Sequence, residues 1–300
     1  MTKNSVFWNA GDTDVKAGLD ILGYRRWDQA LEKAWVAGIT TISPRARYLS
    51  ILPWLLAHHY ESNLADSKDG SWTPNYEVTR DLFRRMEFLS IAATHADTES
   101  LSEDRHGLIG SDLYSVALKE IGTKPTSFEK ASSAGSSMEI YRAPCRSFSL
   151  IGNDIQGSRL PSLPDSSRSV IDSRDQAGIS NTCLEFLSHG GSVSNQLIQD
   201  AIPAFSMNAL SREENAQERN ALLEALLGIK GARGKAFRGT VGWCLERLEK
   251  CDGKAGELIQ SNFVSVLTNP KGASELELAW AEYELHRRVH FSMEVLLSSV

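Results

Sequence analysis

Residues 73–93 read TPNYEVTRDLFRRMEFLSIAA, and this stretch decides the fold class of the chain. Its start is typical of a helix, because a threonine side chain can cap the first free amides and proline is favoured in the first helical turn. Apolar side chains then recur every three or four residues, which is the spacing of one helix face. They are Val78, Leu82, Met86, Leu89 and Ala93.

The same periodicity covers most of the chain. Residues 44–60 carry a broad apolar face that contains Pro53, which we expect to kink or divide a helix there. Ser211-Arg-Glu-Glu214 and Ser274-Glu-Leu-Glu277 fit the capping box, in which a serine and a glutamate satisfy the amides of a helix start. We therefore predict a mainly α protein.

One break in the helical pattern predicts a division of the chain. Residues 152–175 combine glycines and prolines with a run of serines and aspartates. We predict an N-terminal helical domain over residues 1–155, a linker or long loop over 156–174, and a C-terminal helical domain over 175–300. These would be two helical lobes joined by a Ser/Pro/Gly-rich segment. Since the last helix is still apolar at Val300, we also expect the natural chain to extend further.

The composition is that of an ordinary globular protein, with 41% hydrophobic and 23% charged residues. A net charge of −6 excludes a protein that coats nucleic acid through bulk positive charge. The first residues contain no apolar core of a secretion signal, and the apolar run 51–57 is too short to cross a membrane. Four scattered cysteines favour reduced thiols. We expect a cytoplasmic protein that does not associate with membranes.

A short basic stretch is the first candidate site. Residues 228–239 are rich in glycine but lack both the spacing of a phosphate-binding P-loop and the Ser or Thr that would follow its lysine. Basic residues occur there without an acid among them: Lys230, Arg233, Lys235 and Arg238. We predict a loop that can contact nucleic-acid phosphates, although a charge run is more often simply solvated.

The last predicted helix carries a second candidate. Glu282, His286, His290 and Glu294 follow one another at intervals of four residues, which places neighbours on one face. Histidine and glutamate at this spacing can bind a metal ion. The surrounding apolar residues favour instead a buried helix whose histidines and glutamates pair with each other or with arginines. We expect no cofactor, and keep a metal-dependent nuclease as the alternative function.

A third candidate lies in residues 175–207. A helical segment ends at His189-Gly-Gly191, and Ser194 can cap a second helix, which together outline a helix-turn-helix. The second helix offers amide side chains to bases but few basic residues, and helical hairpins with a glycine turn are common without DNA. Motifs for nucleophilic, zinc-protease, dinucleotide or kinase chemistry do not occur, so the sequence assigns no catalytic residue.

About the first half of the chain resembles a known family, through a block within residues 20–54 and through three later segments: Arg84-Arg85-Met86-Glu87, His106-Gly-Leu-Ile-Gly110 and Glu139-Ile-Tyr141. Asp20-Ile-Leu-Gly23, then GITTISPRARY at 38–48, then Pro53-Trp54 resemble the first block of a large uncharacterised bacterial family. That block reads D-x-L-G, P-G-x-(S/T), R-x-R-Y-F and P-W; this chain departs from it at Ala37 and Leu49. The family implies no reaction. Its members are associated with bacterial defence or mobile-element systems.

These observations predict an accessory, non-catalytic component of a bacterial antiviral defence or mobile-element complex. We expect it to bind other subunits, with DNA as a further ligand. Within the resembling block, Arg45 and Arg47 stand at the start of a mostly apolar helix, beside Tyr48 and Trp54. Arginine in such a helix indicates a buried ion pair or a phosphate contact, and the ion pair is the expected one.

Overall fold

The computed structural model describes residues 45–66, 76–97, 137–250 and 255–298, together with the short pieces 30, 34–36, 108–109 and 126–127. These residues form ten α-helices and a single pair of two-residue strands, so the predicted mainly α fold class is confirmed. Within the same residues, no helix combines the length and the apolar character needed to cross a membrane.

The described residues contain the following elements, in chain order. The helices are α1 (Tyr48–Asp66), α2 (Tyr76–Ala96), α3 (Ser137–Ser147), α4 (Arg168–Asp175), α5 (Asn181–His189), α6 (Asn195–Phe205), α7 (Ala216–Leu227), α8 (Gly231–Lys250), α9 (Ala255–Thr268) and α10 (Glu275–Ser298). The strands β1 (Thr126–Ser127) and β2 (Ser192–Val193) pair antiparallel.

The chain groups into two compact units, one formed by Ile39–Ile229 and the other by Met1–Gly38 with Lys230–Val300. This grouping differs from the predicted one, because residues 156–174 lie inside the first unit. The reason is that this segment packs: Leu160 and Val170 are fully buried, and the backbone of Ser162 bonds to that of Asn153. Residues 156–167 form a folded loop, and residues 168–174 belong to α4.

Helix α1 is the centre of the first unit. It is buried along most of its described length, including Ile51, Leu52, Leu55 and Leu56. Pro53 does not divide it, since the helix continues without a break from Tyr48 to Asp66. Packing on every side holds the helix together and outweighs the lost backbone hydrogen bond. Helices α3, α4 and α7 pack against it, while α2 packs against α6.

The two predicted capping boxes have different outcomes. At α10, the Ser274 amide donates to Glu277 Oε2 at 2.9 Å and the Glu277 amide donates to Ser274 Oγ at 3.3 Å, which confirms the box. The box at Ser211 is wrong, because α7 begins five residues later, at Ala216. The residue before that start, Asn215, uses its side chain elsewhere: it donates to the Ala209 carbonyl at 2.8 Å.

The second unit contains α8, α9 and α10. The side-chain amide of Asn262 in α9 donates to the Glu277 carbonyl in α10 at 3.1 Å, and the rings of Trp243 and Trp280 stack at 6.0 Å between α8 and α10. The expectation of a buried last helix is wrong for the side chains that the structure describes. Of these, up to residue 293, only Ala281 of α10 is buried.

Candidate functional site

A buried polar cluster of the first unit lies between α1, α4 and α7. Glu218 Oε2 accepts a hydrogen bond from Arg47 Nη2 at 2.8 Å, and its Oε1 accepts one from Arg174 Nη1 at 2.6 Å. The Ser50 hydroxyl also donates to this carboxylate. The three charged side chains are at most 1% exposed. The predicted buried ion pair of Arg47 is therefore confirmed.

Two guanidinium groups face one carboxylate, so the cluster carries one excess positive charge. Backbone carbonyls at the end of α6 compensate for it: Arg47 donates to Pro203 at 2.6 Å, and Arg174 donates to Ala204 at 2.6 Å. These carbonyls have no partner within their own helix and lie at its negative end. The arginines therefore act as a buried cap for α6.

The pKa values of Arg174 and Glu218 are both lowered, but for different reasons. Burial lowers the pKa of Arg174 to about 10, although Glu218 opposes this shift. Burial by itself would raise the pKa of Glu218, but Arg174 and Arg47 outweigh it and hold that pKa below its ordinary value. Both groups are charged at neutral pH, and Arg174 also lies 5.3 Å from the centre of the Trp54 ring.

Glu87 is a second buried carboxyl group, and it accepts a hydrogen bond from the first residue of a helix. It is 4% exposed and accepts a hydrogen bond from the amide of Ser137, the first residue of α3. Burial raises the pKa of Glu87 to about 7, although the bonds to Ser137 oppose the shift. A carboxylate is favoured at the positive end of a helix. Glu87 and the arginine cluster thus stabilise opposite ends of two different helices.

The predicted basic stretch lies mostly on a helix, and the expectation of a loop is wrong. Gly231 adopts a φ of +79°, a left-handed conformation that glycine tolerates, and opens α8 directly after Lys230. Farther along α8, Phe237 is buried, at 5% exposed. Lys235 and Arg238 are exposed and three residues apart, so they share a face. The Arg233 side chain lies outside the described residues.

The His/Glu row of α10 shows one contact of the predicted kind. Glu282 Oε1 lies 3.8 Å from His286 Nε2, so these two side chains are near each other. Among the residues described, no three His, Cys, Asp or Glu side chains are placed to hold a metal ion. The side chain of Glu294 is outside that set, and the role of His290 in a metal site stays a prediction.

The predicted helical hairpin forms. The Ser180 hydroxyl accepts from the Cys183 amide at 3.3 Å to cap α5, and the Ser194 hydroxyl accepts from the Leu197 amide at 3.1 Å to cap α6. Gly190 makes the turn with a φ of +74°. The exposed side chain of Gln196 bonds to Asp200 at 2.7 Å. DNA binding by this hairpin stays a prediction.

Exposed apolar side chains distinguish the second unit from the first. In the described part of the chain, nine large apolar side chains are exposed, of which two, Leu223 and Leu227, belong to α7 of the first unit. The other seven belong to the second unit: Leu245, Val264, Leu267, Leu278, Leu285, Val289 and Phe291. Phe291 is the most exposed, at 67%. This apolar surface is the candidate functional site.

The stripe on α10 is the longest regular part of this surface. Leu278, Leu285 and Val289 are seven and four residues apart, which places them on one face of the helix. They span about 16 Å along the axis, at a rise of about 1.5 Å per residue. We name these three residues the α10 stripe. The sequence indicated an apolar helix here. It did not indicate which face of that helix is exposed to solvent.

Comparison with protein-family models, with curated proteins and with solved structures finds no match for this chain. The family resemblance of the first half of the chain therefore remains a prediction.

Proposed function

We propose that this chain is an accessory, non-catalytic component of a protein complex and binds a protein partner through its second unit. The observation that carries the proposal is the concentration of seven exposed apolar side chains on α8, α9 and α10. Apolar surface in contact with water is unfavourable, and contiguous patches on soluble proteins mark interaction sites. Burying such residues against a partner would provide the main favourable contribution to binding.

The roles of the buried ionisable groups support a non-catalytic function. Glu87, Arg47, Arg174 and Glu218 all bond to helix ends or to one another. Ionisable groups that form such hydrogen bonds and ion pairs stabilise the fold. The resemblance at residues 20–54 suggests a setting for the proposed complex, a bacterial antiviral defence or mobile-element system in the cytoplasm.

Nucleic-acid phosphate is a second candidate ligand, supported by the charge of α8. Lys230, Lys235 and Arg238 are exposed, and the first acidic residue of the helix is Glu246. Lysine and arginine bind phosphates without regard to base sequence. We place this ligand at the start of α8, and the protein partner on the apolar side chains.

The experiment is co-purification of the full-length tagged chain with the products of the neighbouring genes. The double variant Val264→Ser, Leu267→Ser removes apolar contacts from α9, and Leu285→Ser, Val289→Ser removes them from α10. The double variant Leu223→Ser, Leu227→Ser, which makes the same kind of change at two exposed leucines of α7 in the first unit, is the matched control. We expect a neighbouring gene product to bind the wild-type chain and the control. At least one of the α9 and α10 double variants should fail to bind it. Equal recovery with all variants, or none with the wild type, would show that the proposal is wrong.

A further inference from the structure

We propose that the α10 stripe pairs antiparallel with the same stripe of a second copy of this chain. This inference rests on the proposed function, because it names a partner for one face of the same unit. The stripe is apolar, faces solvent and lies on a long helix, as in helices that associate side by side. In a symmetric pair, one surface patch serves both partners, so the patch must be complementary to itself.

The order of charges along α10 provides that complementarity. Between residues 275 and 290 every acidic residue precedes every basic one. The acids are Glu275, Glu277, Glu282 and Glu284, and the basic residues are His286, Arg287, Arg288 and His290. Leu285 lies between the acidic residues and the basic residues. Two antiparallel copies would place the acidic half of each helix beside the basic half of the other.

A parallel pair would have the opposite electrostatics. It would place Glu282 beside Glu282 and Arg287 beside Arg287 of the second copy, and like charges at this distance repel. Both side chains are exposed, so they are placed to reach a neighbouring chain. The Arg287 guanidinium lies over the Tyr283 ring of its own helix, 5.8 Å from the ring centre, which holds it on the surface.

The apolar residues match in the same arrangement. With the two-fold axis beside Leu285, Leu285 of each copy packs against Leu285 of the other, and Val289 of each copy lies between Leu278 and Leu285 of the other. The same axis places Glu282 of each copy opposite Arg288 of the other. The stripe is only about three turns long, so we expect a weak dimer that forms at roughly 10 to 100 µM protein. A partner of this kind needs no further gene product.

The experiment is sedimentation equilibrium of the purified full-length chain. Leu285→Asp places a charge in the stripe, and we expect it to weaken dimerisation at least about tenfold. Leu223→Asp, the same change at an exposed leucine of α7 in the first unit, should leave the dimer intact. Since both leucines are 47% exposed, both variants should fold, which circular dichroism checks.

A single further variant reports the direction of pairing. Glu282→Gln removes attractions from an antiparallel pair and should weaken it roughly three- to tenfold, since each dimer contains two such contacts. In a parallel pair the same change removes a repulsion and strengthens association. Strengthening would overturn the antiparallel arrangement.

The outcomes separate this inference from the proposed function. A wild-type chain that stays monomeric at about 100 µM, or a dimer that Leu285→Asp does not weaken, overturns self-pairing. Neither result changes the co-purification test, because binding to another gene product is measured separately there. Loss of both self-association and co-purification would overturn both proposals.

Discussion

Glu87 combines a buried position with a role at a helix start, and these two features act against each other. Burial favours the neutral acid, whereas the amide of Ser137 and the start of α3 favour the carboxylate. Burial is the larger effect, so the pKa rises from the ordinary value of 4.5 to about 7. The protonation state of one residue therefore depends on pH within the physiological range.

This shift predicts a stability that decreases as the pH rises from about 4.5 to about 7. In that window the unfolded chain has released the proton of Glu87 while the folded chain still holds it, so folding takes up a proton. The resulting decrease in the free energy of unfolding by pH 7 is roughly 3 kcal/mol. Urea denaturation at a series of pH values measures it. Glu87→Gln should remove this part of the slope, and Glu139→Gln, an exposed neighbour in α3, should not. A constant difference between wild type and Glu87→Gln over this range would contradict the prediction.

At the scale of the elements, the buried cluster joins four helices through their ends and faces. Arg47 stands at the start of α1, Arg174 in α4 and Glu218 in α7, and the carbonyls that they satisfy end α6. The Nε atom of Arg174 is buried without a hydrogen-bond partner, which is consistent with the excess positive charge. Such a cluster fixes the arrangement of the helices more than it adds net stability.

The excess charge predicts an order of stability among variants. Glu218→Gln leaves two buried guanidinium groups unopposed and should lower the free energy of unfolding by about 3–5 kcal/mol. Arg174→Met leaves the balanced pair of Arg47 and Glu218 and should cost about 1–3 kcal/mol, mainly from the Ala204 carbonyl that loses its donor. Glu214→Gln, an exposed change one turn away, is the control. Urea denaturation at pH 7 gives all three values; a larger decrease in Arg174→Met than in Glu218→Gln would refute this charge balance.

The sequence predicted the helices better than the contacts between them. Local patterns produced α2, the hairpin of α5 and α6, and the cap at Ser274, because each depends on residues a few positions apart. The start of α7 was missed, since Asn215 is held by Ala209 and by Arg47, which is distant in the sequence. The same holds for the cluster: Arg47 and Glu218 are 171 residues apart, and no spacing rule relates them. Arg47 alone suggested an ion pair, without identifying its partner.

At the scale of the whole molecule, charge and apolar surface are unevenly distributed. The chain as a whole carries a net charge of −6, yet residues 230–245 contain basic residues and no acid. The same unit carries most of the exposed large apolar side chains in the part of the chain that the structure describes. In the described residues of the first unit, by contrast, most large apolar side chains and the charged cluster are buried. The proposed binding functions therefore belong to the second unit.

The charge distribution predicts how binding to nucleic acid should depend on salt. Because the net charge is negative, only a local basic surface can attract phosphates. We therefore expect the chain to bind duplex DNA weakly at low salt, through a small number of basic side chains. Removing one basic side chain that neutralises a phosphate lowers the slope of log affinity against log salt by about 0.9. Changing Lys235 and Arg238 to alanine should therefore reduce the slope by about 2 and weaken binding for all sequences alike.

Fluorescence anisotropy with a labelled duplex at several salt concentrations measures this slope. Lys250→Ala is the control, since Lys250 is an exposed base at the other end of α8 and pairs with Glu246 at 3.0 Å. Changing all four predicted residues, Lys230, Arg233, Lys235 and Arg238, tests whether the whole basic stretch contributes. If none of these variants changes the slope, the DNA binds to another surface of the chain. The hairpin of α5 and α6 is the next surface to test. Absence of binding by the wild type at low salt would exclude nucleic acid as a ligand and leave the apolar surface as the site of function.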